Sequence, residues 1–133
     1  LLEAFTDANV QIATLGIADV SEEDKQNPNR IKVVLNHQND ALYFSRSSIP
    51  NEHHSNQEVR EKFPFFRHIG VYAYRTKTLL ELVNLAPTEL EKIESLEQLR
   101  WMYYGYSIRV VETDFETPNI DVPEDVEKVR ALL

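Results

Sequence analysis

The chain has 133 residues and a formal net charge of −8, which argues against a nucleic-acid groove or an anionic membrane surface as its main partner. Hydrophobic residues make up 42% and charged residues 27%, ordinary values for one globular domain or part of one. Cysteine is absent, so disulfides, thiolate metal sites and cysteine nucleophiles are excluded, and no apolar run reaches the length of a membrane span or a signal peptide.

The opening segment LLEAFTDANV contains no methionine; Met102 is the only one in the chain. Leu1, Leu2 and Phe5 fit the last turns of an amphipathic helix, and the chain reads as a piece of a longer protein. Residues 10–20, VQIATLGIADV, are rich in β-branched side chains and predict a strand. SEEDKQNPNR, 21–30, predicts a polar loop. IKVVL and ALYFSR flank the turn signal NHQND and predict a hairpin. The polar stretch 50–63 has no clear period and is either a loop or a short helix around 56–62. HIGVYAYR, 68–75, predicts another strand, and 76–84 a helix. Thr88 and Glu91 form a capping box that opens the longest predicted helix, which runs to about Tyr104 and stops at Gly105. SIRVVETD predicts a last strand, and a short helix follows Pro123. Strands interleaved with helices predict an α/β or α+β layer structure.

Several polar residues fall where apolar ones are expected. Alternation along HIGVYAYR puts His68, Gly70, Tyr72 and Tyr74 on one face and Ile69, Val71 and Ala73 on the other, which reads as core. A glycine between two hydrogen-bonding side chains leaves room either for a ligand or for a packed neighbour. In the long helix, Leu90, Ile93, Leu96, Leu99, Trp101, Tyr103 and Tyr104 share an apolar arc that also contains Glu97 and Arg100. These two suit a local ion pair at spacing three, yet a carboxylate in an apolar stripe is costly unless satisfied. Glu97 and the neighbouring Gln98 also suit hydroxyl recognition. Arg46, ending its strand, can fork onto a carboxylate or phosphate, or cover the sheet with its stem. Asp121 precedes Pro123 and Glu124 in a capping-box pattern, so a helix cap and a metal ligand are both open for it. His37, His53 and His54 form no zinc spacing. With glycines only at 16, 70 and 105, no phosphate-cradling loop is present, nor a nucleophile elbow.

NPNRIKVV, ALYFSRSSIP, HIGVYAYR, LEKIESLEQLRWMYYG and IDVPEDVEKVR occur in this order over essentially the whole chain. Together they resemble the 3-deoxy-manno-octulosonate (KDO) cytidylyltransferases, the CMP-KDO synthetases, in their C-terminal half. The resemblance implies a C-terminal portion of a nucleotide-diphospho-sugar transferase-like, Rossmann-like mixed-sheet fold. It implies one partial domain over residues 1–133 that carries the sugar-acid pocket and dimer contacts, while an absent N-terminal half binds the nucleotide. The implied reaction joins CTP and KDO to give CMP-KDO and pyrophosphate, with Mg2+, in a cytoplasmic homodimer serving lipopolysaccharide synthesis. By position, Arg46 would meet the sugar acid, His68 and Tyr72 would line its pocket, Glu97 and Gln98 would bind its hydroxyls, and Asp121 would hold the metal. Two departures stand out: NEHHSN follows the SRSSIP segment, with His53 near the place of a family arginine, and Asn119 stands where members often have glycine. Two further readings remain from the residues: a non-catalytic dimerisation or interaction module built on Trp101, Tyr103 and Tyr104, and a cytidylyltransferase for another acidic sugar such as a sialic acid.

Overall fold

The computed structural model describes residues 1–18 and 20–115, together with Val126 and Arg130 of the C-terminal segment. Asp121, Asn119 and the expected cap at Pro123–Glu124 lie outside the described residues. A 3₁₀ turn, Leu2–Thr6, opens the chain and buries none of its residues, so Leu2 does not join the core that an amphipathic helix end would have supplied. The elements that follow are β1 (Ile12–Ala18), α1 (Glu22–Gln26), β2 (Lys32–Leu35), β3 (Ala41–Ser45), α2 (Gln57–Lys62), β4 (Phe66–Tyr74), α3 (Thr76–Leu82), α4 (Glu89–Glu94), α5 (Gln98–Tyr103) and β5 (Ile108–Glu112). The α/β expectation holds. The polar loop expected over 21–30 contains α1 instead. Ser21 caps it by accepting from Asp24 N, and Glu22, Glu23 and Asp24 place negative charge at its positive end.

The strands form one mixed sheet in the order β3-β2-β4-β1-β5. β4 runs antiparallel to β1, and β5 runs parallel to it. The hairpin β2–β3 turns as expected through Asn36–Asp40, where Asn39 takes φ 64°, a left-handed conformation that asparagine tolerates. The hairpin's base is paired to β4 through only Lys32–Arg67 and Val33–Phe66. Its tip reaches β5, where Asp40 bridges Arg109 and Asn39 O accepts from Val110 N at 2.8 Å.

β4 departs from simple alternation. Thr14 faces Tyr72 but Leu15 faces Ile69, so Gly70 and Val71 have no partner on β1. Thr14 Oγ1 fills the bulge, 2.8 Å from Val71 O and 3.2 Å from Ile69 O. Two extra residues leave the parity intact, so His68, Tyr72 and Tyr74 do share a face. The core, however, lies on that face and not on the one assigned to it from the pattern. Tyr72 and Tyr74 pack edge-on against Trp101 at 5.3 and 5.6 Å between ring centroids, within a cluster that includes Ile12, Phe44, Leu82, Leu99 and Val110. Ile69 is buried on the opposite side, whereas Val71 is 47% exposed because the bulge pushes it outward.

The single helix expected from Thr88 to Tyr104 is two helices. Its N-terminal capping box between Thr88 and Glu91 is present. Ser95 then adopts φ 54° and ψ 47°, ends α4, and resets the helical phase before α5. Residues placed on one apolar arc therefore part company. Leu96, Leu99 and Trp101 are buried, while Ile93 is 85% and Tyr103 66% exposed. The buried carboxylate on this segment is Glu91 and not Glu97. Glu91 takes a bidentate pair from Arg100, with Nε at 2.6 Å and the NH2 nitrogen at 2.5 Å. Gly105 ends α5 with φ 89°, as its position suggested.

Candidate functional site

β2 leaves β4 after two residue pairs, and a cleft of about 400 Å³ opens at that notch. Residues from both faces of β4 reach it because it sits on the strand's free edge. Arg67, His68, Gly70 and Tyr72 come from β4, Asn29, Arg30 and Ile31 from the loop before β2, Arg46 from the end of β3, and Leu96 and Gln98 from the α4–α5 break. Of the site residues expected from the sequence, Arg46, His68, Tyr72 and Gln98 are thus brought together. Glu97 is not among the lining residues. Its side chain is 65% exposed and lies 3.6 Å from Arg100, because the break at Ser95 turns it away from the buried arc. Asp121 lies outside the described residues.

Arg46 is held by backbone carbonyls. Its Nε donates to Glu94 O at 2.8 Å, one terminal nitrogen to Pro28 O at 3.0 Å, and the other to Ser95 O at 3.2 Å. All three acceptors are neutral carbonyls, the Glu94 carboxylate lies close enough to feel the guanidinium's charge, and among the described residues two of its five N–H groups remain. The carboxylate of Glu94 is occupied elsewhere, accepting from Ser45 Oγ at 2.7 Å, Arg46 N at 3.0 Å and Tyr43 Oη at 3.4 Å. Burial opposes its ionisation, but the Arg46 N–H and the Ser45 and Tyr43 hydroxyls outweigh that and hold the carboxyl below its usual range. Lys32, fully buried, reinforces the same corner by donating to Arg46 O at 2.7 Å and Asn27 O at 2.9 Å. Burial pulls its ammonium below the usual lysine range.

His68 Nε2 lies 2.9 Å from Thr14 Oγ1. The hydroxyl has one proton, and only the hydroxyl can serve the carbonyls of Ile69 and Val71 in that cluster. Nε2–H is then the donor to Oγ1, which leaves Nδ1 as an acceptor. Burial brings the imidazole down to about 4, so it is neutral across the physiological range. The ring packs edge-on against Phe44 at 4.9 Å and tilted against Tyr72 at 5.4 Å.

Tyr72 carries the sharpest signal. Its hydroxyl is buried and has no hydrogen-bond partner among the described residues. Burial pushes its pKa far above the ordinary phenol value. An unmatched buried hydroxyl costs about 1–3 kcal/mol, a penalty removed if a ligand supplies the partner. Gly70 adds space. A Cβ built there meets nothing within 4 Å and its φ is not left-handed, so glycine is required neither by packing nor by backbone. Gln98, 6% exposed, brings an amide that can both donate and accept.

Sequence reasoning missed Arg30, Arg67 and Asn29. Arg30 and Asn29 sat in a stretch set aside as polar loop, and Arg67 immediately precedes the strand as predicted. A cationic residue on each side of a strand pair was the available signal. Trp101, one of the three aromatics of the interaction-module reading, is 7% exposed and belongs to the core, in keeping with its place on the apolar arc. Among the described residues no group of three carboxylates or histidines gathers to hold a metal, and the cleft's donors are mostly cationic or neutral. The described part of the site does not suit Mg2+, which takes oxygen ligands and favours carboxylates. No helix among the described residues is long and apolar enough to cross a membrane.

A family model described as cytidylyltransferase matches residues 1–112. The chain is 49% identical over 136 residues to the 3-deoxy-manno-octulosonate cytidylyltransferase of Parabacteroides distasonis, covering 97% of this chain and 53% of that protein. It is 44% identical over 137 residues to the enzyme of the same description from Porphyromonas gingivalis, covering 100% of this chain and 54% of the relative. The solved structure of CMP:2-keto-3-deoxy-manno-octonic acid synthetase complexed with CTP superposes with a TM-score of 0.87 at 41% identity, covering 99% of this chain and 53% of that one. The chain spans about half the length of the curated relatives it matches. A mixed sheet with a cationic notch, the motif order along the chain and the match over residues 1–112 converge: the chain belongs to the cytidylyltransferase family.

Proposed function

We propose that this chain is the sugar-acid-binding part of a KDO cytidylyltransferase, and that the notch at the free edge of β4 holds the sugar. The observation that carries the reading is the buried Tyr72 hydroxyl, without a hydrogen-bond partner among the described residues, beside a guanidinium with two N–H groups to spare. An acidic polyhydroxy compound meets both needs. Its carboxylate takes the free N–H groups of Arg46, and its hydroxyls pair with Tyr72 Oη, Gln98 and the acceptor nitrogen of His68. Glu97, exposed at the head of α5, belongs to the same proposal only as a rim contact. The names of the relatives favour KDO over a sialic acid.

In the reaction so proposed, the anomeric hydroxyl attacks the α-phosphorus of CTP. The new O–P bond forms as the α–β phosphoanhydride bond breaks, pyrophosphate leaves, and the hydroxyl proton passes to solvent. Positioning and charge neutralisation dominate such transfers. The residues of this chain bind and orient the sugar and exclude water around its carboxylate. The nucleotide-binding segment, including a phosphate-cradling loop, is proposed to lie in the part of the relatives that this chain does not match. Mg2+ at Asp121, supplying charge neutralisation at the phosphates, completes the proposal, as do a homodimer, a cytoplasmic location and a role in lipopolysaccharide synthesis.

The test is calorimetric titration of the chain with KDO. Binding is expected, and Gln98→Ala should weaken it by about 2- to 13-fold, the equivalent of one neutral hydrogen bond of roughly 0.5–1.5 kcal/mol. Absence of binding, or a Gln98→Ala variant that is folded and binds KDO unchanged, overturns the placement.

A further inference from the structure

Charged side chains grip the backbone of Arg46 at both its N–H and its C=O. The N–H donates to Glu94 Oε2 at 3.0 Å, and the oxygen accepts from the Lys32 ammonium at 2.7 Å. The guanidinium is held by the same helix end that supplies the carboxylate: Nε donates to Glu94 O at 2.8 Å and a terminal nitrogen to Ser95 O at 3.2 Å. The left-handed turn at Ser95 ends α4 and leaves these carbonyls without a further helical turn to take them. Glu94 therefore meets Arg46 twice, through its side chain and through its backbone. Its other carboxylate oxygen, Oε1, accepts from Ser45 Oγ at 2.7 Å, and Ser45 Oγ in turn accepts from Ser47 N at 3.0 Å. Ser45 and Lys32 are buried, so water competes little for these bonds.

Electrostatics alone argues against this arrangement. A carboxylate close to an arginine that serves an anion offsets part of its attraction, and Glu94 does feel the Arg46 charge. Glu94 is also not among the residues that line the cleft; its contacts go to Arg46 and its neighbours on β3. We propose that Glu94 is a positioning residue of the notch, which fixes the direction of the Arg46 guanidinium into the cleft before a sugar acid arrives, with Lys32 closing the grip on Arg46 O. The link to a sugar acid rests on the reading of Arg46 as the partner of its carboxylate. A planar guanidinium matches a carboxylate only in a narrow range of directions, and donors fixed in advance lose little freedom on binding. Direction here outweighs charge.

KDO and its methyl ester, which keeps the hydroxyls and loses the charge, are titrated calorimetrically into the chain and into Glu94→Gln, with circular dichroism as a check on folding. The substitution removes a negative charge beside an anion site, so a purely electrostatic role gives tighter KDO binding. Positioning gives the opposite sign: KDO binding about tenfold weaker, the lower end for a hydrogen bond to a charged group, with the ester unchanged. Ser45→Ala leaves every charge in place and frees Glu94 Oε1; it should weaken KDO by about threefold, and it decides the matter if Glu94→Gln does not fold. KDO affinity that is unchanged or higher in either folded variant, or an ester that weakens in step with KDO, overturns the proposal. A readout without ligand separates it from the sugar-acid reading. By heteronuclear NMR the Arg46 Nε–H should exchange slowly with solvent in the chain and rapidly in Glu94→Gln, and equal exchange in the two proteins also overturns the proposal. Slow exchange made fast by the substitution, in a chain that does not bind KDO, removes the sugar-acid reading and leaves Glu94 as the residue that fixes Arg46.

Discussion

Gly70 shows how a site can be separated from the fold that carries it. No atom lies within 4 Å of the position a Cβ would take, so Gly70→Ala costs the fold nothing sterically. It should stabilise the chain by about 0.4–1 kcal/mol, because the unfolded state loses freedom. The same methyl would intrude on the cleft beside His68 and Tyr72. We expect chemical denaturation to show equal or higher stability and KDO titration to show weaker binding. A variant that is less stable, or that binds as before, would mean that Gly70 serves the bulge and not the ligand. The flanking residues were readable in the sequence because parity survives a two-residue bulge. The bulge itself was not, since it depends on Thr14 reaching across to Ile69 O and Val71 O from a segment 55 and 57 positions away.

The two short helices α4 and α5 show what periodicity does and does not carry. The capping box at Thr88 and the stop at Gly105 are local and were found from residue types alone. The break at Ser95 was hidden, because serine carries no turn signal of its own and the apolar count fits one continuous helix. Once broken, the segment buries Glu91 in place of Glu97. Arg100 is the main cause that holds the Glu91 carboxyl down at about 2, with the Thr88 N–H assisting against burial. The native state therefore binds this proton less readily than the unfolded chain, whose carboxyl titrates near 4.5. The pair's stabilisation is complete above that value and is lost as pH falls from about 4.5 towards 2. Glu91→Gln should lower stability near pH 7 by about 1.5–3 kcal/mol, as for a hydrogen bond to a charged group. It should also flatten the decline of stability between those pH values. Denaturant melts across that range test both effects, and parallel curves for the two proteins would deny Glu91 the role. Charged residues in polar stretches stayed unreadable for a related reason: Arg30 and Arg67 acquire meaning only when β2 and β4 meet.

The β2–β3 hairpin meets β4 along a short seam of strand pairing within one sheet. Val33 and Phe44 of the hairpin share one core with Ile12, Leu99, Trp101 and Val110, and Ser45 and Arg46 bond to Glu94 and Ser95, so the helices touch the hairpin as well as β4. At its base, two residue pairs and the His68 N to Ile31 O bond at 2.8 Å hold the hairpin to β4. Its tip is pinned to β5 by the Arg109 Nε to Asp40 Oδ1 contact at 2.6 Å. The walls of the notch fall on opposite sides of that seam, with Arg30, Ile31 and Arg46 on the hairpin side and His68, Gly70 and Tyr72 on the other. A ligand that touches both walls is then a staple, and its binding energy is felt as reduced opening of the base. Local opening is drawn from regions with few cross-links, so in the free chain the amides of Lys32 and His68 should exchange with deuterium faster than those in the β1–β4 ladder, and saturation with KDO should slow them selectively. Uniform slowing across the sheet would place the ligand away from the seam. A pocket built this way measures its occupant through the time its two halves stay closed.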